Sequence, residues 1–332
     1  MSEQQNNAEL LKITDLKTHF FTHKGVVPAV DGVTLEIPKR QIVGVVGESG
    51  CGKSVTAMSI LQLISRPGRI VSGSIRLDGK ELVGAGIDEI RELRGNKISV
   101  IFQEPMTSLN PVYTVGRQVS EAITTHQQVS KQEAKQRVID IFKAVGIPEA
   151  EKRFKAYPHQ LSGGLRQRVM IGMAMVCRPQ LLIADEPTTA LDVTIEAQIL
   201  HLMKQLESDF GTSIMLITHN LGVVAEVCDY VYVMYAGKIM EQANIFDLFD
   251  HTGHPYTKGL LQSIPKPMAE KQRLYNIKGM VPNLLRLPKG CRFCPRCEFA
   301  MQECHEHEPE LYDAGNQHLV RCFLYKNGGE PA

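Results

Sequence analysis

Short, continuous apolar runs recur along this chain, separated by longer stretches with helical periodicity. IVGVV at Ile42–Val46, ISVIF before Gln103, LLIA before Asp185 and SIMLIT before His219 show no polar alternation. That is the pattern of strands buried on both faces, as in a parallel α/β sheet. VTAMSILQLI after the first run has helical length and few breakers, and QVSKQEAKQRVIDIFKAVG has helical periodicity. A mainly helical insert is predicted from Val115 to about Tyr157, and a short helix at HPYTKGLLQSIP, His254–Pro265. PKP and VPNLLRLPKG beyond it are Pro-rich and linker-like. The longest apolar run, Val169–Val176, is far short of the roughly 18–20 residues that cross a bilayer. The N-terminus, MSEQQNNAELL, has no signal-peptide apolar core. A soluble, cytosolic chain is expected, with any membrane association made through a partner.

The first strand runs into GESGCGKS, Gly47–Ser54, which matches G-x-x-x-x-G-K-[ST] in full. Strand, Gly-rich loop and helix are the context that this phosphate-binding motif requires. Gly47, Gly50 and Gly52 let the backbone curl so that successive N–H groups face phosphates. Glu48, Ser49, Cys51 and Val55 complete the candidate ATP-binding loop. Lys53 neutralises β/γ-phosphate charge and the Ser54 hydroxyl ligates Mg²⁺. The strand-end Gln103 is positioned to sense Mg²⁺ and water. LLIADE delivers two carboxylates, with Asp185 expected to hold Mg²⁺ and Glu186 to act as general base on the attacking water. His219 ends a further strand. Strand C-termini line the ligand crevice of a parallel α/β sheet, so Lys53, Gln103, Asp185, Glu186 and His219 are expected to converge. LSGG at Leu161–Gly164 places a Ser hydroxyl and Gly-rich backbone at a helix start, which suits an anion.

Composition narrows the class. A chain of 332 residues suits two domains. Its 37 Lys+Arg balance 36 Asp+Glu, so the basic excess of a non-specific nucleic-acid binder is absent. Asn96-Lys97-Ile98-Ser99 lacks the Asp of a guanine-reading NKxD motif, and a small-molecule kinase needs no LSGG element. Five of the eight cysteines, Cys291, Cys294, Cys297, Cys304 and Cys322, crowd the C-terminal end. In a cytosolic chain such a cluster reads as a metal site rather than as disulfides.

GESGCGKS, Gln103, LSGG, LLIADE, ALD at Ala190–Asp192 and His219 together resemble the nucleotide-binding domain of ABC transporters. The resemblance covers roughly residues 10–265. It implies an α/β P-loop NTPase with a RecA-like core, an antiparallel β subdomain and a helical subdomain at about 105–178. The expected division is an ATP-binding domain at 1–265 and a Cys-rich extension at 266–332. It also implies a mechanism that one chain cannot complete, because two such domains clamp two ATPs head to tail. Ser162, Gly163, Gly164 and Asp192 would then serve a partner's ATP. Leu165 replaces the Gln of LSGGQ, a departure that bears on the partner's site. By the same resemblance Phe20 is the aromatic platform for adenine, with core packing as its other reading.

EPMTSLNP, YPHQLSGG and ADEPTTALDVTIEAQI resemble the oligopeptide/dipeptide importer ATPases, of the kind labelled the D subunit. Nickel and other peptide-like importers share the phrasing. The resemblance implies a heterodimer with a second ABC ATPase and docking of the helical insert on two integral membrane permease subunits. It further implies indirect service to an extracytoplasmic solute-binding protein and a place at the cytoplasmic face of the inner membrane. The tail spacing, C-x2-C-x2-C-x6-C-x17-C, is similar to a pattern that some of these ATPases use for a 4Fe–4S cluster. Carried over by position, the ligands are Cys291, Cys297, Cys304 and Cys322. Cys294 is extra, and zinc is the alternative metal for a four-cysteine set. A soluble ABC-type ATPase acting on DNA or ribosomes would carry a long coiled coil or tandem ATPase domains. A purely regulatory ATP binder would not need Lys53, Glu186 and His219 together.

Overall fold

The computed structural model describes residues 9–103, 108–189, 191–264 and 276–326. Residues 104–107 of EPMTSLNP, Ala190 of ALD and the Pro265–Pro267 linker therefore lie outside the described residues. The strands in chain order are β1 (Glu9–Thr22), β2 (Gly25–Pro38), β3 (Ile42–Val46), β4 (Gly68–Leu77), β5 (Lys80–Glu81) and β6 (Ile98–Ile101). They continue with β7 (Leu181–Asp185), β8 (Ser213–Thr218), β9 (Tyr230–Tyr235), β10 (Lys238–Asn244), β11 (Tyr312–Asp313) and β12 (Leu319–Val320). The helices used below are α1 (Lys53–Ile60), α2 (Ile87–Leu93), α3 (Val115–His126), α4 (Lys131–Ala144), α5 (Ala150–Arg153) and α6 (Gly163–Met175). They continue with α7 (Val193–Phe210), α8 (Leu221–Val227), α9 (Ile245–Asp250), α10 (Pro255–Gln262) and α11 (Gln302–Glu306). Among the described residues no helix is long and apolar enough to cross a membrane.

The chain divides into two compact units. The first holds the described residues of Met1–Leu10, Ile37–Ile42 and Gly84–Ile217, and the second those of Leu11–Glu36, Val43–Val83 and Thr218–Ala332.

In the first unit β6 and β8 flank β7 in parallel, with Ile98 opposite Leu181 and Leu181 opposite Ser213. Every residue of β7 is buried, which is why this stretch reads as an unbroken apolar run. β6 ends at Ile101, so Gln103 stands two residues past the strand rather than at its last position. Within the helical insert, α3 and α4 pack on each other and on α6. Thr114 and Ser130 cap α3 and α4, accepting from the N–H groups of Arg117 and Glu133. Ala134, Val138, Ile141 and Phe142 form the buried face of α4 at helical spacing.

In the second unit β2, β1, β4 and β5 form an antiparallel sheet in that order. β3 runs parallel to β9, β9 turns back through Ala236-Gly237 into β10, and β10 pairs antiparallel with β12. The C-terminal segment is thus joined, through the β9–β10 hairpin, to the strand that leads into the Gly-rich loop. A buried carboxylate fixes this junction. Glu241, fully enclosed, accepts from the N–H groups of Gly253 and His254 at 2.6 and 3.0 Å and lies 2.7 Å from His318 Nε2. Three partners offset the cost of burying the acid.

His254 caps α10, its Nδ1 accepting from the Tyr256 N–H at 3.0 Å. Full burial pushes this imidazole down to about 4. Its folded value lies below its unfolded one, so the stability it permits is present above about 6.5 and is lost as pH falls toward 4. The chain should lose about 2 kcal/mol of unfolding free energy from this residue between pH 7.5 and pH 5. His254→Asn keeps a capping acceptor, and it should flatten that part of the slope in urea unfolding. An identical slope in the variant would refute the assignment.

Candidate functional site

The Gly-rich loop follows from the way β3 is enclosed. Residues 42–46 are buried, and a Cβ on Gly44 would come within 2.8 Å of Val224 Cγ1, so α8 packs directly on the strand. At the loop itself Gly47 has φ 154° and Gly52 has φ 109°. A Cβ on Gly47 would strike the Met234 carbonyl, and one on Gly52 the Ala29 carbonyl. Both positions need glycine for backbone conformation and for space. Gly52 then caps α1 in the left-handed region, and no acidic residue occupies the first turn of that helix. Free N–H groups and the helix dipole favour an anion there.

Lys53 is 5% exposed, and its Nζ donates to the carbonyls of Gly47 at 2.7 Å and Glu48 at 3.2 Å. The ammonium is folded back over its own loop. Ser49, Gly50 and Ser54 are exposed and Val55 is half-buried. Cys51 is fully buried, and burial raises its thiol pKa, so it packs as a small apolar residue. Phe20 is half-buried on β1 opposite Gly68, and a Cβ on Gly68 would lie 2.6 Å from its ring. Its neighbour Phe21 carries the Arg69 guanidinium 4.3 Å above its ring. His219 is exposed, immediately after β8, with Asn220 capping α8.

The first unit brings another group together. Gln103 Nε2 donates to Glu186 Oε2 at 3.0 Å, and the Thr189 hydroxyl donates to the same oxygen at 2.9 Å. Glu186 sits just past β7 with φ 47°, and its N–H donates to the Ile217 carbonyl at 2.9 Å. A non-glycine residue in this region is strained, and strain of that kind is held by its surroundings. Asp185 ends β7 and is buried.

Ser162 caps α6, its hydroxyl accepting from the Leu165 N–H. Ser162 and Gly163 are exposed, while Gly164 and Leu165 are half-buried. Asp192 caps α7, accepting from the Ile195 N–H at 2.9 Å, so within its own chain it has a structural task. Gln167 escaped the sequence reading. It is fully buried on α6, and its Nε2 donates to the Pro187 carbonyl at 2.6 Å. It ties the LSGG helix to the turn that carries Glu186. Its place one turn into a helix after LSGG was the only signal available.

Cys291, Cys294, Cys304 and Cys322 are buried and Cys297 is half-buried, all as free thiols. Burial pushes Cys291 up to about 12 and Cys322 to about 11, with Cys304 adding to both. Among the described residues no three His, Cys, Asp or Glu side chains are grouped to hold a metal ion.

Comparison with known proteins fits this geometry. The ABC transporter family model matches residues 30–189, and the model for the C-terminal region of oligopeptide/dipeptide transporters matches 240–304. The oligopeptide transport ATP-binding protein AppD of Bacillus subtilis is 53% identical over 321 residues, covering 96% of this chain and 98% of the relative. OppD of Escherichia coli, also an oligopeptide transport ATP-binding protein, is 49% identical, covering 97% and 95%. Among solved structures, the dimeric bacterial ABC transporter cassette MJ0796 superposes with a TM-score of 0.64 at 26% identity, covering 71% of this chain and 99% of the cassette. The fold is thus that of an ABC-type P-loop ATPase, and the chain belongs to the ABC transporter ATP-binding proteins, in their oligopeptide/dipeptide branch.

Proposed function

We propose that this chain is the ATP-binding and ATP-hydrolysing subunit that energises a membrane importer for peptides. The observation that carries the reading is likeness along the whole chain, C-terminal region included, to oligopeptide transport ATP-binding proteins. The substrate is assigned as peptides rather than nickel on that ground.

The residues divide by task. The loop Gly47–Ser54 with Val55 cradles the ATP phosphates, Lys53 neutralises their charge, and Phe20 offers adenine a ring. Ser54, Gln103 and Asp185 would hold Mg²⁺, which would supply positive charge against that of the phosphates. Glu186 takes the proton of the attacking water, and its hydrogen bonds from Gln103 and Thr189 support an oriented carboxylate. His219 assists at the γ-phosphate. Ser162, Gly163, Gly164 and Asp192 complete the ATP of a second, related ATPase subunit. The exposure of Ser162 and Gly163 at a helix start supports that role. Two integral permease subunits hold the pair at the cytoplasmic face of the inner membrane, where a solute-binding protein delivers cargo from the other side.

Cys291, Cys297, Cys304 and Cys322 would hold a 4Fe–4S cluster, with Cys294 outside the set. The similarity of the cysteine spacing to the 4Fe–4S pattern, and the burial of Cys291, Cys304 and Cys322, support this donor set. Such a cluster, when bound, cross-links the segment through four thiolates.

Glu186→Gln should still bind MgATP yet lose turnover by at least about 10²-fold, together with peptide uptake, in the assembled complex. Hydrolysis and uptake at wild-type rates would remove Glu186 from its role. Purified without oxygen, the full chain should be brown and contain iron. A colourless protein with stoichiometric zinc would overturn the cluster.

A further inference from the structure

The Gly-rich loop is gripped from behind by the Cys-bearing segment. Arg296 Nη1 donates to Glu48 Oε2 at 2.6 Å, and Nη2 donates to Oε1 at 3.0 Å. The pair is a bidentate fork joining residues 248 positions apart. The Arg296 side chain is only 4% exposed. Its Nε donates to the Lys278 carbonyl at 3.0 Å, Nη2 to the Ile277 carbonyl at 3.3 Å, and Nη1 to the Tyr235 hydroxyl at 3.4 Å. Every nitrogen of the guanidinium is engaged, so its direction is fixed.

Glu48 is held on its main chain as well. Its N–H donates to the Tyr256 hydroxyl at 2.9 Å, and its carbonyl accepts from Lys53 Nζ. Four residues before Arg296, Arg292 bonds the Asp31 carboxylate and the Ala236 carbonyl. The adjoining Gly237 N–H donates to the Cys51 carbonyl at 2.8 Å. Phe293, between the two arginines, packs edge-on against Tyr235 and beside Tyr256, with ring centroids 5.3 and 5.4 Å apart. One short segment therefore holds the loop directly at Glu48 and holds the turn that bonds Cys51.

The electrostatics give this contact a task. Glu48 is an acid inside a loop whose business is to receive a polyanion. Left unpaired, it would repel the phosphates, and such repulsion is strengthened by partial burial. We propose that Arg296 is a positioning residue for the ATP site, neutralising Glu48 and holding its carboxylate away from the bound phosphates. The proposal rests on the reading of Gly47–Ser54 as the phosphate cradle. It assigns to the Cys-bearing segment a part in nucleotide affinity.

The test is equilibrium binding of a fluorescent ATP analogue to the full-length chain, alongside the KM and kcat of the assembled complex. Arg296→Gln should raise Kd and KM about tenfold, leaving kcat at saturating ATP close to wild type. Adding Glu48→Gln to that variant should bring Kd back to within about threefold of wild type, because the unpaired charge is then gone. A merely structural role predicts no such rescue. A wild-type Kd in Arg296→Gln, or a double variant as weak as the single, would overturn the proposal. Should Arg296→Gln not fold, Arg296→Met carries the same test, since it keeps an unbranched apolar stem in the buried position and removes the charge. A raised Kd rescued by Glu48→Gln then supports the proposal, and an unchanged Kd overturns it. Lys53→Ala separates the underlying reading. If it binds as wild type, the cradle assignment fails. If it loses binding while the Arg296 variants keep theirs, only the present proposal fails.

Discussion

The close approach of two backbone carbonyls to the Gly-rich loop is the constraint on which the structure turns. Met234 presses on Gly47 and Ala29 on Gly52, and neither contact leaves room for a side chain. With the loop wedged in this way, its open side, at Ser49, Gly50 and Ser54, faces solvent. β9 supplies one carbonyl and β2 the other, so the sheets of the second unit are the jig for the loop. The Gly237–Cys51 bond and the Tyr256 and Arg296 contacts to Glu48 close the remaining freedom. Preorganisation of this kind lets a site meet phosphate charge without reorganising at the moment of binding.

The first unit answers a different need. A strand end alone does not fix the direction of the carboxylate that follows it. Here Glu186 takes a left-handed backbone, and Gln103 and Thr189 converge on one of its oxygens. The buried Gln167 links the following Pro187 to the LSGG helix. The helix that presents Ser162 and the turn that presents Glu186 are thereby one packed piece.

The motif-bearing strands were legible because full burial writes an unbroken apolar run into the sequence, as in IVGVV and LLIAD. The loop was legible because glycine is required at fixed spacing. The helical insert was legible from period and from caps such as Ser130. Other features left no local trace. The Arg296–Glu48 fork joins common residue types across most of the chain, and no spacing rule reports it. Gln167 looks like any polar helical residue until its burial is known. The apolar run before Gln103 reads as a strand that ends on it, but pairing stops at Ile101 and leaves it on the loop beyond. The resemblance assigns Asp192 to a partner's nucleotide, and its bond from the Ile195 N–H gives it a capping task that an Asp before a helical run also implies.

The central claim is that the backbone of Gly47–Ser54 receives the phosphates of ATP. Amide hydrogen exchange of the full-length chain, with and without MgATP, tests it most directly. The account expects slower exchange concentrated at residues 48–54 and at the start of α1, at nucleotide concentrations that saturate binding. Saturated binding with unchanged exchange across that loop, and protection elsewhere, would contradict it.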